Sequence, residues 1–434
     1  MARIKLAYVG GGSTRAPGTM ASLIAQGENF SGSEIVLIDL DAEKLELVRV
    51  LAEKMARCRG LDLTVTATTD RREGLTDCDA VLTSYRPGGF PARVLDERIP
   101  LKYGAIGQET QGAGGFFMAL RSIAVMKEIV ADLEVVAPHA RIVNYTNPVN
   151  IVAQAVTSHT EVPLVSLCEG PMYYPAELAT SAGLDPEKLD AHMIGLNHQS
   201  WSVRHQYDGQ DILPLLAEAW PSVQHDEAIK LSTRRMMQIA LATGSLPSEY
   251  AMYYFFTADM LQALQDKPTT RAEDIMQWVP DYWDHYRDQA ALDCPDLDPN
   301  RSRGGINELE LAIDVLDAMY NDRGNVLPVN VPNRGAIPDL GGHVVVETRG
   351  YVDKAGIVPL ALGPLPHPAA GLIQSLAEYQ VLAADAAWHG DRQQAIRALL
   401  ANPLAPSLDK VESLYDELAA AHRAYLPERL LRNA

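Results

Sequence analysis

Arg3-Ile4-Lys5-Leu6-Ala7-Tyr8-Val9 runs directly into Gly10-Gly11-Gly12-Ser13-Thr14, and an apolar helical pattern follows from about Pro17 to Ala25. A short run of β-formers, a glycine turn and a helix make the opening unit of a doubly wound α/β sheet. The turn lets backbone N–H groups approach a pyrophosphate at a helix N-terminus. It departs from a full GxGxxG, because Arg15 stands where the third glycine would fall. A second apolar strand, Glu34 to Ile38, ends at Asp39, where a carboxylate can take the ribose hydroxyls of a dinucleotide. Gly10, Gly11, Gly12, Ser13, Thr14 and Asp39 are therefore candidate cofactor residues.

Working outward, the amphipathic stretch Ala42 to Arg59 reads as a helix, and Thr64–Thr68, Ala80–Ser84, Ala140–Asn144 and Leu164–Leu167 read as further strands buried on both faces. The alternation predicts an N-terminal Rossmann-like parallel sheet over residues 1–167. After about residue 200 the pattern changes to long helices at Asp226–Thr243, Ser248–Leu264, Gly305–Asn321 and Pro368–Leu400. Val326–Asn330, His343–Glu347 and Tyr351–Leu360 are expected as a smaller antiparallel sheet. Residues 168–434 are accordingly expected as a mostly helical α+β substrate- and metal-binding domain, the arrangement of lactate and malate dehydrogenases.

With 434 residues, 47% hydrophobic and 21% charged, the chain has material for two packed domains. A net charge of -19 without a Lys/Arg block excludes a nucleic-acid partner. It leaves room for an anionic small molecule held by a few converging arginines. No apolar run reaches transmembrane length and no leader precedes the first strand, so a membrane is not expected as a partner. Cys58, Cys78, Cys168 and Cys294 show no paired spacing. They predict no disulfide framework and a reducing, cytoplasmic setting.

Two short motifs carry soft and borderline ligands: Leu167-Cys168-Glu169-Gly170-Pro171 and Gly195-Leu196-Asn197-His198-Gln199-Ser200-Trp201. A thiolate and an imidazole with open positions suit Mn, Fe, Co or Zn, although a cysteine after a buried strand and a loop histidine also have inert readings. Asn147, in Asn144-Tyr145-Thr146-Asn147-Pro148, sits either at the ligand edge of the sheet or as an Asx-type helix entry. Tyr250 opens the aromatic run Tyr250-Ala251-Met252-Tyr253-Tyr254, as a base if its phenolate is stabilised or as core otherwise. Arg86-Pro87-Gly88-Gly89, Gly107-Gln108-Glu109-Thr110-Gln111-Gly112 and Arg303-Gly304-Gly305 are glycine-rich polar turns that could admit an anionic or hydroxylated ligand.

Taken in order, Gly10-Gly11-Gly12-Ser13, Arg86-Pro87-Gly88-Gly89, Ile99 through Gly112, Thr146-Asn147-Pro148, Cys168, Gly195-Leu196-Asn197-His198 and Arg303-Gly304-Gly305 resemble glycoside hydrolase family 4 over nearly the whole chain. That family is the NAD-dependent exception to two-carboxylate glycoside hydrolysis. The resemblance implies hydride removal from sugar C3 by NAD⁺, proton removal from C2, loss of the C1 aglycone, addition of water and return of the hydride. It implies a divalent metal, usually Mn²⁺, on Cys168 and His198, Tyr250 as the C2 base, and Asp39 on the adenosine ribose. Asn147 and Glu109 would contact the substrate. Arg86, beside both cofactor and substrate, and Arg303 would meet an anionic sugar group.

Family members acting on 6-phospho-α-glucosides tend to carry Asp after the cysteine and those acting on β-glucosides Asn, whereas this chain has Glu169, a carboxyl able to protonate a leaving oxygen. Arg15 replaces a residue that is commonly aromatic. The Arg86-Pro87-Gly88-Gly89 and Leu196-Asn197-His198 patterns lean towards a 6-phospho-β-glucosidase, self-associated as a dimer or tetramer. The competing readings are a 6-phospho-α-glucosidase or a glycosidase for another anionic sugar, a 2-hydroxy-acid dehydrogenase suggested by Asn147-Pro148-Val149, and a non-catalytic NAD and sugar sensor.

Overall fold

A computed structural model describes residues 1–303 and 310–431. Six parallel strands form its first half: β1 Lys5–Val9, β2 Ser33–Ile38, β3 Leu63–Thr68, β4 Ala80–Thr83, β5 Arg141–Asn144 and β6 Leu164–Ser166, in the order β3-β2-β1-β4-β5-β6. The two-residue period of β1 sends Ala7 and Val9 to one face and Leu6 and Tyr8 to the other. On the first face they meet helices Gly112–Val136, Val149–His159 and His367–Trp388. On the second they meet Ala16–Ala25, Ala42–Cys58 and Glu310–Asn321. Burial on both faces explains the apolar inner strands, whereas β3, LTVTAT at the sheet edge, buries only Val65, so the burial expected for Thr64–Thr68 is corrected.

The remaining strands are β7 Leu189–Leu196, β8 Gln199–Tyr207, β9 Gln210–Asp211, β10 Asn325–Pro332, β11 Val345–Asp353 and β12 Gly356–Pro359. They do not form the separate small sheet expected from sequence. β10 pairs antiparallel with β6 through Asn330 and Ser166, β11 pairs with β10, and β7 joins β11 through Glu347 and Gly195. Among the described residues one mixed sheet of 12 strands therefore forms.

Two expected helices are broken. Ser248–Leu264 resolves into a 3-10 turn Glu249–Ala251 and helices Met252–Phe255 and Thr257–Asp266, because Phe256 leaves helical geometry at φ -129 and ψ 38. Pro368–Leu400 divides at His389-Gly390-Asp391, where the Asp391 side chain caps the second helix, Arg392–Leu400. Glu310–Asn321 is the described part of the helix expected from Gly305, and Gly304 and Gly305 lie outside the described residues. The cysteine expectation is also corrected: Cys58 and Cys294, 236 residues apart, form a disulfide, while Cys78 and Cys168 are free. The end of helix Ala42–Cys58 packs on the segment after helix Arg271–Ala291, where the Lys54 ammonium donates to Ala290 O and Leu292 O. Tertiary packing alone creates that proximity.

Candidate active site

Because β1 to β6 are parallel, the residues that follow them gather on one edge. Val9 leads to the glycine turn, Ile38 to Asp39, Thr83 to Arg86, Asn144 to Asn147 and Ser166 to Cys168. Asn144 ties three of these ends together. Its Oδ1 accepts from Thr83 Oγ1 at 2.7 Å, and its Nδ2 donates to Ser166 Oγ at 2.8 Å and to Thr146 O.

At the glycine turn the donors are largely spent within the protein. Gly10 N and Gly11 N donate to Ile38 O, Gly12 N to Asp39 Oδ2 at 2.9 Å, and Ser13 N to Gly10 O. The glycines act through close approach. A Cβ on Gly10 would stand 2.2 Å from Ser84 O, and one on Gly12 would stand 3.0 Å from Asp39. What remains for an anionic cofactor is the buried Ser13 hydroxyl, which lies beside Tyr8, together with the N-terminus of helix Ala16–Ala25 and its preceding Arg15. The hydroxyl on the cavity wall and the preset Asp39 carboxylate fit a dinucleotide.

Ser13 opens onto a cavity of about 960 Å³ that also exposes Arg86, Glu109, Asn147, Tyr250 and Arg303. At its centre Glu109 pairs with Arg86 and, at 2.5 Å, with Arg93; Arg93 also holds Glu97 at 2.7 Å. Burial opposes the Glu109 charge, but Arg86 and Arg93 outweigh it and hold this carboxyl well below the usual carboxylate range. The cluster is nevertheless short of negative charge. Burial, then Arg15 and Arg86, push the Arg303 guanidinium down to about 9. Arg303 donates from Nη1 to Thr14 Oγ1 at 3.3 Å and, like Arg86, lies over the Phe90 ring. An acidic protein thus carries an electropositive pocket suited to an anionic substrate group.

The opposite charge problem surrounds Cys168. Burial, then Glu347 and Glu169, push its thiol up. Burial also pushes Glu347 up, and burial followed by Glu249 and Cys168 pushes Tyr250 up. His198 occupies the tight β7–β8 turn at φ +63, a left-handed conformation uncommon for a side chain other than glycine. Its carbonyl accepts from Ser248 Oγ, its Nδ1 meets Thr110 Oγ1 at 2.8 Å, and its ring stacks on Tyr250 at 3.7 Å. Burial pushes the imidazole down to about 3, so it is neutral and able to ligate through its other nitrogen. Asn197, one residue earlier, reaches Cys168 and donates to Glu347 Oε1 at 2.9 Å. A thiol beside the carboxyl groups of Glu347 and Glu169, with a neutral imidazole, makes a donor set that fits a divalent metal. Among the described residues no three His, Cys, Asp or Glu side chains converge as a metal site.

Tyr145 OH donates to Glu169 Oε1 at 2.6 Å, which fixes Glu169 at the start of helix Gly170–Ser181. Of the residues singled out from sequence, Ser13, Arg86, Glu109, Asn147, Tyr250 and Arg303 share the cavity. His198 stacks behind Tyr250, Glu169 hangs on the cavity residue Tyr145, and Gly10, Gly11, Gly12, Thr14 and Asp39 form the neighbouring turn. Sequence reasoning missed Arg93, Tyr145, Thr110 as the histidine's partner, and Glu347. Arg93 lies one helical turn before Glu97, and Tyr145 and Thr110 sit inside the Asn144–Pro148 and Gly107–Gly112 motifs, which are the local signals that were available.

Residues 5–184 match the "Family 4 glycosyl hydrolase" model and residues 193–405 the "Family 4 glycosyl hydrolase C-terminal domain". A Bacillus subtilis (strain 168) protein named "Probable 6-phospho-beta-glucosidase" is 34% identical, over 98% of each chain. The 6-phospho-beta glucosidase of Thermotoga maritima, solved with manganese, NAD+ and glucose-6-phosphate, matches at TM-score 0.84 and 26% identity, over 98% of this chain and 99% of that one. A 6-phospho-alpha-glucosidase from gut microorganisms in complex with NAD and Mn2+ matches at 0.86 and 26%, with the same coverage. Malate dehydrogenase of Plasmodium falciparum, at TM-score 0.53 and 10% identity over 91% and 99% of the chains, shares the fold alone. The chain belongs to glycosyl hydrolase family 4.

Proposed function

We propose that the protein is an NAD- and Mn²⁺-dependent glycosidase that cleaves 6-phospho-β-glucosides. The observation that carries this reading is the cavity in which the arginine cluster around Glu109 lies beside the stacked Tyr250 and His198. When bound, NAD⁺ supplies reversible hydride exchange at sugar C3, and the divalent ion supplies an electrophile for the neighbouring oxygen. Cys168 and His198 would hold the metal. Gly10 to Thr14, Asp39 and Arg86 would seat the dinucleotide, with Asp39 taking ribose hydroxyls.

Arg86 and Arg303 orient the sugar by its anionic group, Glu109 and Asn147 contact its hydroxyls, and Tyr250 takes the C2 proton onto its phenolic oxygen. Burial of Tyr250 beside Glu249 disfavours its anion, so it can act as a base only when positive charge is placed next to it. Glu169, steadied by Tyr145, delivers a proton to the leaving oxygen.

The same proposal assigns residues 1–167 to the dinucleotide and 168–434 to the sugar and metal, and includes self-association of the chain. It places the protein in the cytoplasm, since Cys168 has to stay reduced; no helix among the described residues is long and apolar enough to cross a membrane. A β preference is supported by the first relative's name, whereas the Glu169 carboxyl keeps the 6-phospho-α-glucosidase as the second reading.

The test is p-nitrophenol release from α- and β-glucosides with and without 6-phosphate, in the presence or absence of NAD⁺, Mn²⁺ and dithiothreitol. Cleavage of the 6-phospho-β-glucoside that needs cofactor and metal, without net NADH, is expected. Cleavage indifferent to NAD⁺ overturns the mechanism, and accumulation of NADH with a 2-hydroxy acid points to a dehydrogenase.

A further inference from the structure

One wall of the cavity is a single face of helix Arg271–Ala291. Arg271, Ile275, Trp278 and Tyr282 fall at i, i+4, i+7 and i+11, and all four line the cavity. The helix is held firmly. Its Thr270–Glu273 capping box closes the N-terminus, Arg98 pairs with Glu273 at 2.5 Å, and Ile275 is buried. Trp278, one helical turn past the buried Ile275, is 43% exposed although it is a large apolar residue. The Arg271 guanidinium lies over the indole, 5.0 Å from its centroid. An indole held on a capped helix, exposed and lining a cavity, is a surface that gains by being covered.

The charged groups of the cavity already serve the sugar and its anionic substituent. The ring of Trp278 offers something they lack, a flat apolar face. We propose that Trp278 is the stacking platform for the leaving group and selects aglycones that present a ring face, either aromatic or the apolar face of a second pyranose. This rests on the glycosidase reading above. It adds a subsite that discriminates among substrates by the part of the molecule that departs.

The test compares wild type, Trp278→Ala and Trp278→Phe on phenyl 6-phospho-β-glucoside, on a 6'-phosphorylated β-linked glucose disaccharide and on methyl 6-phospho-β-glucoside. Trp278→Ala is expected to lower kcat/KM about 3- to 10-fold on a ring-bearing substrate, the size of one aromatic stacking contact. The methyl glycoside is expected to be unchanged, and Trp278→Phe to recover most of the loss. A loss confined to the phenyl substrate assigns the platform to aromatic aglycones, and one confined to the disaccharide assigns it to a sugar. Equal loss on all three, or no loss on either ring-bearing substrate, overturns the proposal.

Calorimetric binding of the phenyl and methyl compounds, with NAD⁺ and Mn²⁺ present, separates this proposal from the glycosidase reading. If wild type cleaves nothing, the glycosidase reading fails alone, and tighter binding of the phenyl compound that Trp278→Ala abolishes still supports the platform. Equal binding of phenyl and methyl compounds by wild type overturns it.

Discussion

Tyr250 and His198 stack at 3.7 Å, but their proposed tasks are separable by mutation. Tyr250→Phe removes the oxygen that takes the proton and keeps the ring on which His198 rests. It is expected to lower kcat by about 10²- to 10⁴-fold, the usual size of a general-base loss, with Mn²⁺ and NAD⁺ affinities unchanged in titrations followed by spin resonance and calorimetry. Cys168→Ser and His198→Ala should lose Mn²⁺ itself, and full turnover in Cys168→Ser would remove the thiolate from the metal site.

Glu109 gives a different residue-scale prediction. Its folded-state pKa lies below its unfolded value, which is about 4.3. The stability it contributes is therefore fully present above roughly pH 5 and is lost as pH falls through the folded value. Glu109→Gln leaves Arg86 and Arg93 buried without this partner and should cost about 3–5 kcal/mol at pH 7. Urea midpoints measured from pH 7 down to pH 3 should fall less in the variant than in wild type. Parallel pH profiles would show that Glu109 is not held as an anion.

Among the elements, the glycine turn makes the sharpest prediction, because its N–H groups are used internally and its function is shape. Gly12→Ala places a methyl 3.0 Å from Asp39, which must move from the position that Gly12 N and Leu40 N now fix. NAD⁺ affinity should fall about 10- to 100-fold, the worth of one hydrogen bond to a charged group, with a small change in melting temperature. Unchanged affinity, measured by calorimetry, would detach Asp39 from the cofactor.

This element was legible in the sequence because strand, turn and helix are contiguous and buried parallel strands are apolar throughout. The β7–β8 hairpin was not read as strands. Half-buried Asp190, His192 and Gln206 and exposed Arg204 leave it no continuous apolar run, and its pairing to the main sheet depends on Glu347, far along the chain. The residue types of the site were legible from their motifs. Its convergence was not, since Arg93 on helix Gly89–Lys102 and Glu347 in β11 lie outside every motif, and Tyr145, although inside Asn144–Pro148, has no local signal for its bond to Glu169.

For the whole molecule, the net charge of -19 and the electropositive cavity are complementary facts. Bulk charge keeps polyanions away while four guanidinium groups, those of Arg15, Arg86, Arg93 and Arg303, act over short range on a small anion. The other long-range feature is the Cys58–Cys294 disulfide. Both cysteines are exposed, and the bond joins a helix that packs on the parallel strands to the segment leading into Ser302 and Arg303 on the cavity wall.

Cross-linking residues 236 positions apart restricts the unfolded chain, by a loop-closure estimate of about 5 kcal/mol. The Lys54 bonds to Ala290 O and Leu292 O hold the same two segments together without it. Reduction should therefore lower the melting temperature while leaving the folded contact, and turnover, largely intact. Cys58→Ser should melt where the reduced wild type does and should no longer respond to dithiothreitol. If reduced and oxidised wild type melt together, the bond contributes nothing to stability and the lysine contacts suffice. If reduction abolishes turnover in wild type and Cys58→Ser is inactive without it, the disulfide itself, and not the lysine contacts, holds this side of the cavity in place.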